Sequence, residues 1–181
     1  MFSVVVHYGE LALKGRNRPW FINTLVRTMR AALRGLDVRD VRATIGRIIE
    51  LSDSDDQSVL IQVTRGPMDV RNHAFPKTTT PTVFIMSEPL VTPAEEQRAE
   101  GIAAVSTADY RWLRCDLKVT SLLANCLLRQ MAIESGCQET VLFRDGHLSE
   151  GAASNIFAVK NGVLLAPPKS HLMLAGITYD V

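Results

Sequence analysis

Apolar residues in this chain recur at two different spacings, and the changes of spacing mark out its elements. Residues 3–8, Ser-Val-Val-Val-His-Tyr, are rich in β-branched side chains and predict a strand. Phe21, Leu25, Met29, Leu33 and Leu36 then recur every three to four positions, the period of one apolar helical face. Asn17 suits the N-cap of that helix, Pro19 its first turn, and Gly35 its end. Residues 38–51 read as extended with a turn at Gly46, so the first fifty residues are expected to be β-α-β. Residues 52–58 (Ser-Asp-Ser-Asp-Asp-Gln-Ser) are polar and acidic, the composition of a linker or exposed loop.

Beyond that linker, strand-like runs fall at 59–64, 82–86 and 102–105, with a loop or short helix over 89–98. Thr120 or Ser121 could cap a helix through Leu122, Leu123, Cys126, Leu127 and Met131 that stops near Gly136. Strands at 139–143, 156–159 and 163–166 are separated by Asp145-Gly146 and Asn161-Gly162, two strong hairpin signals. Mixed elements with several antiparallel turns predict an α+β fold rather than a doubly wound sheet. The division expected is 1–51, a linker at 52–58, and 59–181.

Composition adds boundaries to this picture. A hydrophobic content of 46% over 181 residues suffices for a real core. No apolar run approaches the roughly 20 residues of a membrane span, and the start, Met-Phe-Ser-Val-Val-Val, lacks a signal-peptide layout. Cys115, Cys126 and Cys137 are odd in number and never two or three apart, which favours a reducing cytoplasm over a disulfide framework or a zinc site. The net charge of +1 conceals an asymmetry, because residues 1–51 carry nine Lys/Arg against four Asp/Glu. Uneven charge suggests different partners for the two parts.

Candidate chemistry lies in three motifs. Lys118 ends the run Arg111-Trp112-Leu113-Arg114-Cys115-Asp116-Leu117-Lys118, a strand-like stretch ahead of the predicted helix, so its amine is expected to project from a fixed element. Ser149-Glu150-Gly151-Ala152-Ala153-Ser154-Asn155 supplies a carboxylate, and Gly176-Ile177-Thr178 a helix start. An amine, a carboxylate and a helix N-terminus can hold an aldehyde cofactor by its carbonyl, its ring and its phosphate. Together with Gln62 to Gly66 and Arg71-Asn72-His73-Ala74-Phe75-Pro76, these motifs resemble the D-amino-acid and branched-chain aminotransferases, the pyridoxal-phosphate enzymes of fold type IV.

That resemblance implies roles residue by residue. Lys118 would bind pyridoxal 5'-phosphate covalently and move the proton, and Glu150 would keep the ring nitrogen protonated. Ile177 and Thr178 would receive the phosphate, with Ser154 as a second donor, while Ala153 stands where many members have Ser. Arg111 would lie near the 3′ oxygen or form a structural ion pair. Arg71 and His73 match the pair that traps the substrate carboxylate in the D-amino-acid enzymes, where a guanidinium fork meets both oxygens. The resemblance covers roughly 58–181, the middle of the family. It leaves outside a phosphate-gripping arginine, a substrate-binding tyrosine and the rest of the large domain. It also implies an amino acid and a 2-oxo acid as substrates, and a homodimer.

His7-Tyr8-Gly9-Glu10-Leu11-Ala12-Leu13-Lys14-Gly15-Arg16-Asn17-Arg18-Pro19 is different. It resembles the N-terminal ferredoxin-like segment of tRNA 4-thiouridine synthetases, over about residues 3–51. That implies contacts from Lys14, Arg16 and Arg18 to tRNA phosphates. None of the sulfur chemistry of that family is present: there is no Ser-Gly-Gly nucleotide loop and no reactive cysteine pair. The leading expectation is therefore a partial fold-type-IV core preceded by a ferredoxin-like β-α-β segment, with transamination of a D-amino acid as its activity. The alternatives are a tRNA-contacting module and a folded but inactive chimera.

Overall fold

The computed structural model describes residues 3–8, 12–13, 37–64, 66–67, 70 and 80–180. Its elements are, in order, β1 (Ser3–Tyr8), β2 (Ala12–Leu13), α1 (Val38–Glu50), β3 (Gln57–Thr64), β4 (Thr82–Pro89), α2 (Glu95–Glu100), β5 (Ala104–Ala108), α3 (Leu123–Glu134), β6 (Glu139–Arg144), β7 (His147–Gly151), β8 (Ser154–Lys160), β9 (Val163–Leu165) and a 3₁₀ turn (Ile177–Asp180). The mixture of helices with largely antiparallel strands is the expected α+β class. The chain divides into two compact units, one of residues 1–9 with 93–181 and one of residues 10–92.

In the second unit, β2, β3 and β4 form an antiparallel sheet in which Val63 pairs with Val83 and Ile61 with Ile85. Period-2 alternation points Ile61, Val63, Val83 and Ile85 to one face, where they pack on Val41 and Ile45 of α1. Residues 38–51 were expected to be extended and are helical instead. The apolar positions Val41, Ile45 and Ile49 recur every four residues, and the Asp37 carboxylate caps the helix by accepting from the Arg39 N–H at 2.9 Å. Gly46 is no turn, and open space surrounds the position a Cβ would take there. Residues 52–56 connect α1 to β3 within this unit, and Gln57 and Ser58 already belong to β3. The buried Gln57 side chain closes the connection, donating to the Ile49 and Ser54 carbonyls and accepting from the Ser87 hydroxyl. The helix expected over 17–36 lies outside the described residues.

In the first unit, β5 and β6 run parallel and β6 and β7 antiparallel, while β1, β8 and β9 form a second antiparallel sheet. Parallel neighbours need a long crossover, and α3 provides it. Leu128 of that helix is fully buried against Leu142 and Ala152, and the Leu128 carbonyl accepts from the Thr140 hydroxyl at 2.7 Å. Leu122 occupies the N-cap of α3 without a side-chain cap, so neither Thr120 nor Ser121 plays that part. Both predicted hairpin turns form. Asp145 and Gly146 have φ of 51° and 78°, and Asn161 and Gly162 have 53° and 76°, the left-handed pair that a two-residue hairpin requires. Residues 111–118 are not a strand. Local bonds replace the ladder there: Asp109 grips Arg111, Arg114 pairs with Asp116, and the Leu117 N–H closes a turn on the Arg114 carbonyl. No helix among the described residues is long and apolar enough to cross a membrane.

Candidate active site

Three segments of the first unit meet at one carboxylate. The first is the loop after β5, which carries Arg111 and Lys118. The second is the tight turn from β7 to β8, with Glu150 before it and Asn155 after it. The third runs from His171 to the 3₁₀ turn. Glu150 is 4% exposed; its Oε1 pairs with the Arg111 guanidinium, and its Oε2 accepts from the Leu174 N–H at 3.1 Å and the Asn155 amide at 3.3 Å. Asn155 ties the segments further, donating to the Leu174 carbonyl and accepting from the Gly176 N–H, both at 2.9 Å. The Asp116 N–H reaches the His171 carbonyl at 3.3 Å, which joins the lysine-bearing loop to the third segment.

Arg111 is held from behind. Asp109, whose side chain is 0% exposed, takes both arms of its fork at 2.9 Å and also accepts from the Arg111 N–H at 3.1 Å. Arg144 adds a second cation to Asp109 at 3.0 Å, and its Nη2 also donates to the Arg111 carbonyl at 3.1 Å. Two carboxylates thus face two guanidiniums out of water, a balanced set. Burial alone would raise the Asp109 carboxyl, but the Arg111 hydrogen bonds and charge overcome it and hold it down at about 2. Burial would likewise discharge Arg111, yet Asp109 and Glu150 hold it firmly cationic. For Glu150 burial dominates and pushes its carboxyl above the ordinary value, against the pull of Arg111.

The turn between β7 and β8 rests on a second buried carboxylate. Glu139, 1% exposed, accepts from the Thr140 and Ala152 N–H groups at 2.7 and 3.0 Å and from the Ser154 hydroxyl at 2.6 Å. A Cβ on Gly151 would collide with the Ser154 hydroxyl and press on the Glu139 carboxyl, so only glycine lets the turn close here. In this arrangement the Ser154 hydroxyl donates to Glu139.

The other predicted residues divide as follows. Lys118 is exposed on the loop between β5 and α3 and does not project from a strand. Ile177 opens the four-residue 3₁₀ turn and is 54% exposed; of Thr178 only the backbone is described. Arg111 is ion-paired with both Asp109 and Glu150. Arg71, His73, Lys14, Arg16 and Arg18 lie outside the described residues. Sequence reasoning passed over Asp109, Glu139, Arg144 and the contacts of Asn155. A signal existed for Glu139, a lone charge opening the apolar run Thr140-Val141-Leu142-Phe143.

The donor set suits a pyridine ring. A carboxylate offers about four lone-pair positions; Glu150 uses one on Arg111 and two on N–H donors, which leaves acceptor capacity for a ring N–H. Lys118 offers an exposed amine on the loop that Arg111 anchors.

Residues 21–181 match the model of amino-transferase class IV. The chain belongs to the class IV aminotransferases. The match begins well ahead of residue 58, where the sequence resemblance to this family starts, and enters the segment that resembles the thiouridine synthetases. Among individual relatives, the chain is 34% identical over 139 residues to a D-alanine aminotransferase of Bacillus licheniformis, covering 77% of this chain and 48% of that one. The chain thus spans about half the length of the curated relatives it matches. Two solved structures share the fold. One is the branched-chain amino acid aminotransferase of Escherichia coli, at TM-score 0.68 and 21% identity over 99% of this chain and 62% of that one. The other is the branched-chain amino acid aminotransferase of Thermobaculum terrenum in its PLP form, at TM-score 0.65 and 18% identity, covering 99% and 61%. Class IV aminotransferases depend on pyridoxal phosphate, the cofactor that the sequence motifs imply.

Proposed function

We propose that this chain acts as a class IV aminotransferase that moves the amino group of a D-amino acid, D-alanine being the model substrate, to a 2-oxo acid. The observation that carries the reading is the convergence on Glu150 of the segments bearing Lys118, Asn155 and Ile177. Motifs far apart in sequence are of use to one small molecule only if the fold brings them together, and it does. The D-preference is supported by the B. licheniformis relative and by Arg71 and His73 as a carboxylate trap.

Pyridoxal phosphate, when bound, supplies an electron-withdrawing ring that stabilises negative charge at the substrate Cα. The chain's own groups do the rest. Lys118 would hold the cofactor covalently and, once the substrate amine has displaced it, would be free to take the proton from the substrate Cα. Glu150 would accept the ring N–H and keep that nitrogen cationic; Arg111 and the two N–H donors fix the carboxylate in place. The backbone of Ile177 and Thr178 would receive the phosphate, and Arg71 would orient the substrate. A homodimer and a reducing, cytoplasmic setting complete the proposal, the latter on the three free thiols. The family match and the fold neighbours give no support to an RNA partner.

The test is an amino-transfer assay of the 181-residue chain with pyridoxal phosphate, a 2-oxo acid, and D- or L-alanine. Activity with D-alanine, abolished by Lys118→Ala and cut at least about a hundredfold by Glu150→Gln (on the scale of a misplaced proton-transfer partner), is the expected result. Transfer from L-alanine in preference would overturn the D-assignment, and full activity of Lys118→Ala would overturn the whole reading.

A further inference from the structure

We infer that Asp109 is the positioning residue of this site, the group that holds Glu150 in place for its partner on the ring. The inference rests on the proposed function and adds a residue that no sequence motif singled out.

Asp109 is the most heavily bonded carboxylate among the described residues. Its Oδ1 accepts from the backbone N–H and Nε of Arg111, and its Oδ2 from Arg111 Nη2, Arg144 Nη2 and the Ser149 hydroxyl at 3.2 Å. Two of these bonds lead to Glu150 by separate routes. Arg111, pinned by its Nε and Nη2, has Nη1 left to point at Glu150. Ser149 precedes Glu150 in β7 and is itself buried, and its hydroxyl proton, shared between Asp109 and the Leu142 carbonyl at 3.3 Å, ties Asp109 to the strand that presents the carboxylate. Glu150 is thereby gripped both at its head and at its backbone.

The chemistry explains why a carboxylate is needed at 109. A guanidinium fork matches two oxygens at once. Asn at this position keeps the shape but turns an N–H₂ group toward a guanidinium that can only donate. Arg111 then loses its fixed orientation, and Glu150 loses the partner that aims it. Asp109 touches neither cofactor nor substrate in this scheme; it acts through Arg111 and Ser149.

Two measurements on the intact chain test this. The first compares binding of pyridoxal phosphate with binding of its carbocyclic analogue, in which C–H replaces the ring nitrogen. Asp109→Asn is expected to weaken pyridoxal phosphate about tenfold, the scale of a lost charged hydrogen bond, and to leave the analogue unchanged, because the analogue makes no bond to Glu150. Equal weakening of both would make Asp109 a merely structural residue and overturn the inference. Ser149→Ala, which cuts one of the two routes, is expected to act in the same sense more weakly, and it replaces Asp109→Asn in both measurements if that variant does not fold. The second measurement needs no cofactor: urea unfolding of Asp109→Asn, Glu150→Gln and the double variant. Shared attachment to Arg111 predicts coupling, with the double variant's unfolding constant differing at least about threefold from the product expected of independent sites. Additive effects overturn the inference. If the wild-type chain binds neither compound, the proposed function fails and the unfolding cycle alone decides the role of Asp109.

Discussion

Replacing Arg111 by Met probes the charge balance at the heart of the site. The substitution keeps much of the side-chain volume and removes the cation that serves Asp109 and Glu150 together. Arg144 remains on Asp109, so the cluster passes from neutral to one net negative charge, out of water. Removing one partner of a buried pair typically costs about 3–5 kcal/mol, because the surviving charge is left uncompensated. Against a domain stability of roughly 5–15 kcal/mol, that loss is easily measured. Its pH dependence is the sharper signature. In the wild type, Arg111 holds Asp109 down at about 2 rather than near 3.8, so the ionised carboxylate contributes stability above about pH 4. A depressed acid loses that contribution as pH falls through its folded value, so the wild type weakens between about pH 4 and 2. In Arg111→Met the upward push on Glu150 grows. Burial already pushes its carboxyl up, and the substitution takes away the cation that pulls it back. A raised acid destabilises the fold above its folded value and ceases to do so once protonated, so the variant should regain stability on going from pH 7 to 5. Urea unfolding at the two pH values measures this. A deficit under about 1 kcal/mol, or one unchanged between pH 7 and 5, would refute the reasoning.

Other expectations follow from packing and turns. Leu142→Ala empties a fully buried position against Leu128 and should cost about 2–5 kcal/mol in urea unfolding, with no change in slope. Gly146→Ala places a Cβ at φ 78° and should cost about 1–2 kcal/mol, seen as a lowered Tm. Ser154→Ala removes one of three donors from the buried Glu139 carboxylate and should cost about 1–3 kcal/mol. Lys118→Ala, by contrast, should leave the unfolding curve within about 0.5 kcal/mol of wild type, since the residue is exposed.

How far sequence foretold structure depended on how local each cause was. Asp145-Gly146 and Asn161-Gly162 were legible because a two-residue reversal demands left-handed backbone at both positions, and few other residues tolerate it. The alternation at 59–64 was legible because one face of β3 meets α1. Residues 38–51 were misread because β-branched Val and Ile favour strands in isolation. The four-residue spacing of Val41, Ile45 and Ile49, with Asp37 as cap, outweighed that preference once a sheet lay beneath. The run at 111–118 was misread for the opposite reason: its side-chain bonds to Asp109 and Asp116 hold the backbone in turns that no periodicity betrays. Glu150 and Lys118 could be named from their motifs. Asp109 and Glu139 could not, because their importance lies in partners 40 and 15 positions away, Ser149 and Ser154, which only the fold makes neighbours.

The central claim is that Lys118 carries pyridoxal phosphate at a ring site made by Glu150. Borohydride reduction of the chain loaded with pyridoxal phosphate, followed by digestion and mass spectrometry, tests it most directly. The account predicts a single stable phosphopyridoxyl adduct on Lys118, formed with a visible absorbance band that weakens in Glu150→Gln. An adduct spread over Lys14, Lys77, Lys160 and Lys169 with Lys118 unmodified would contradict it.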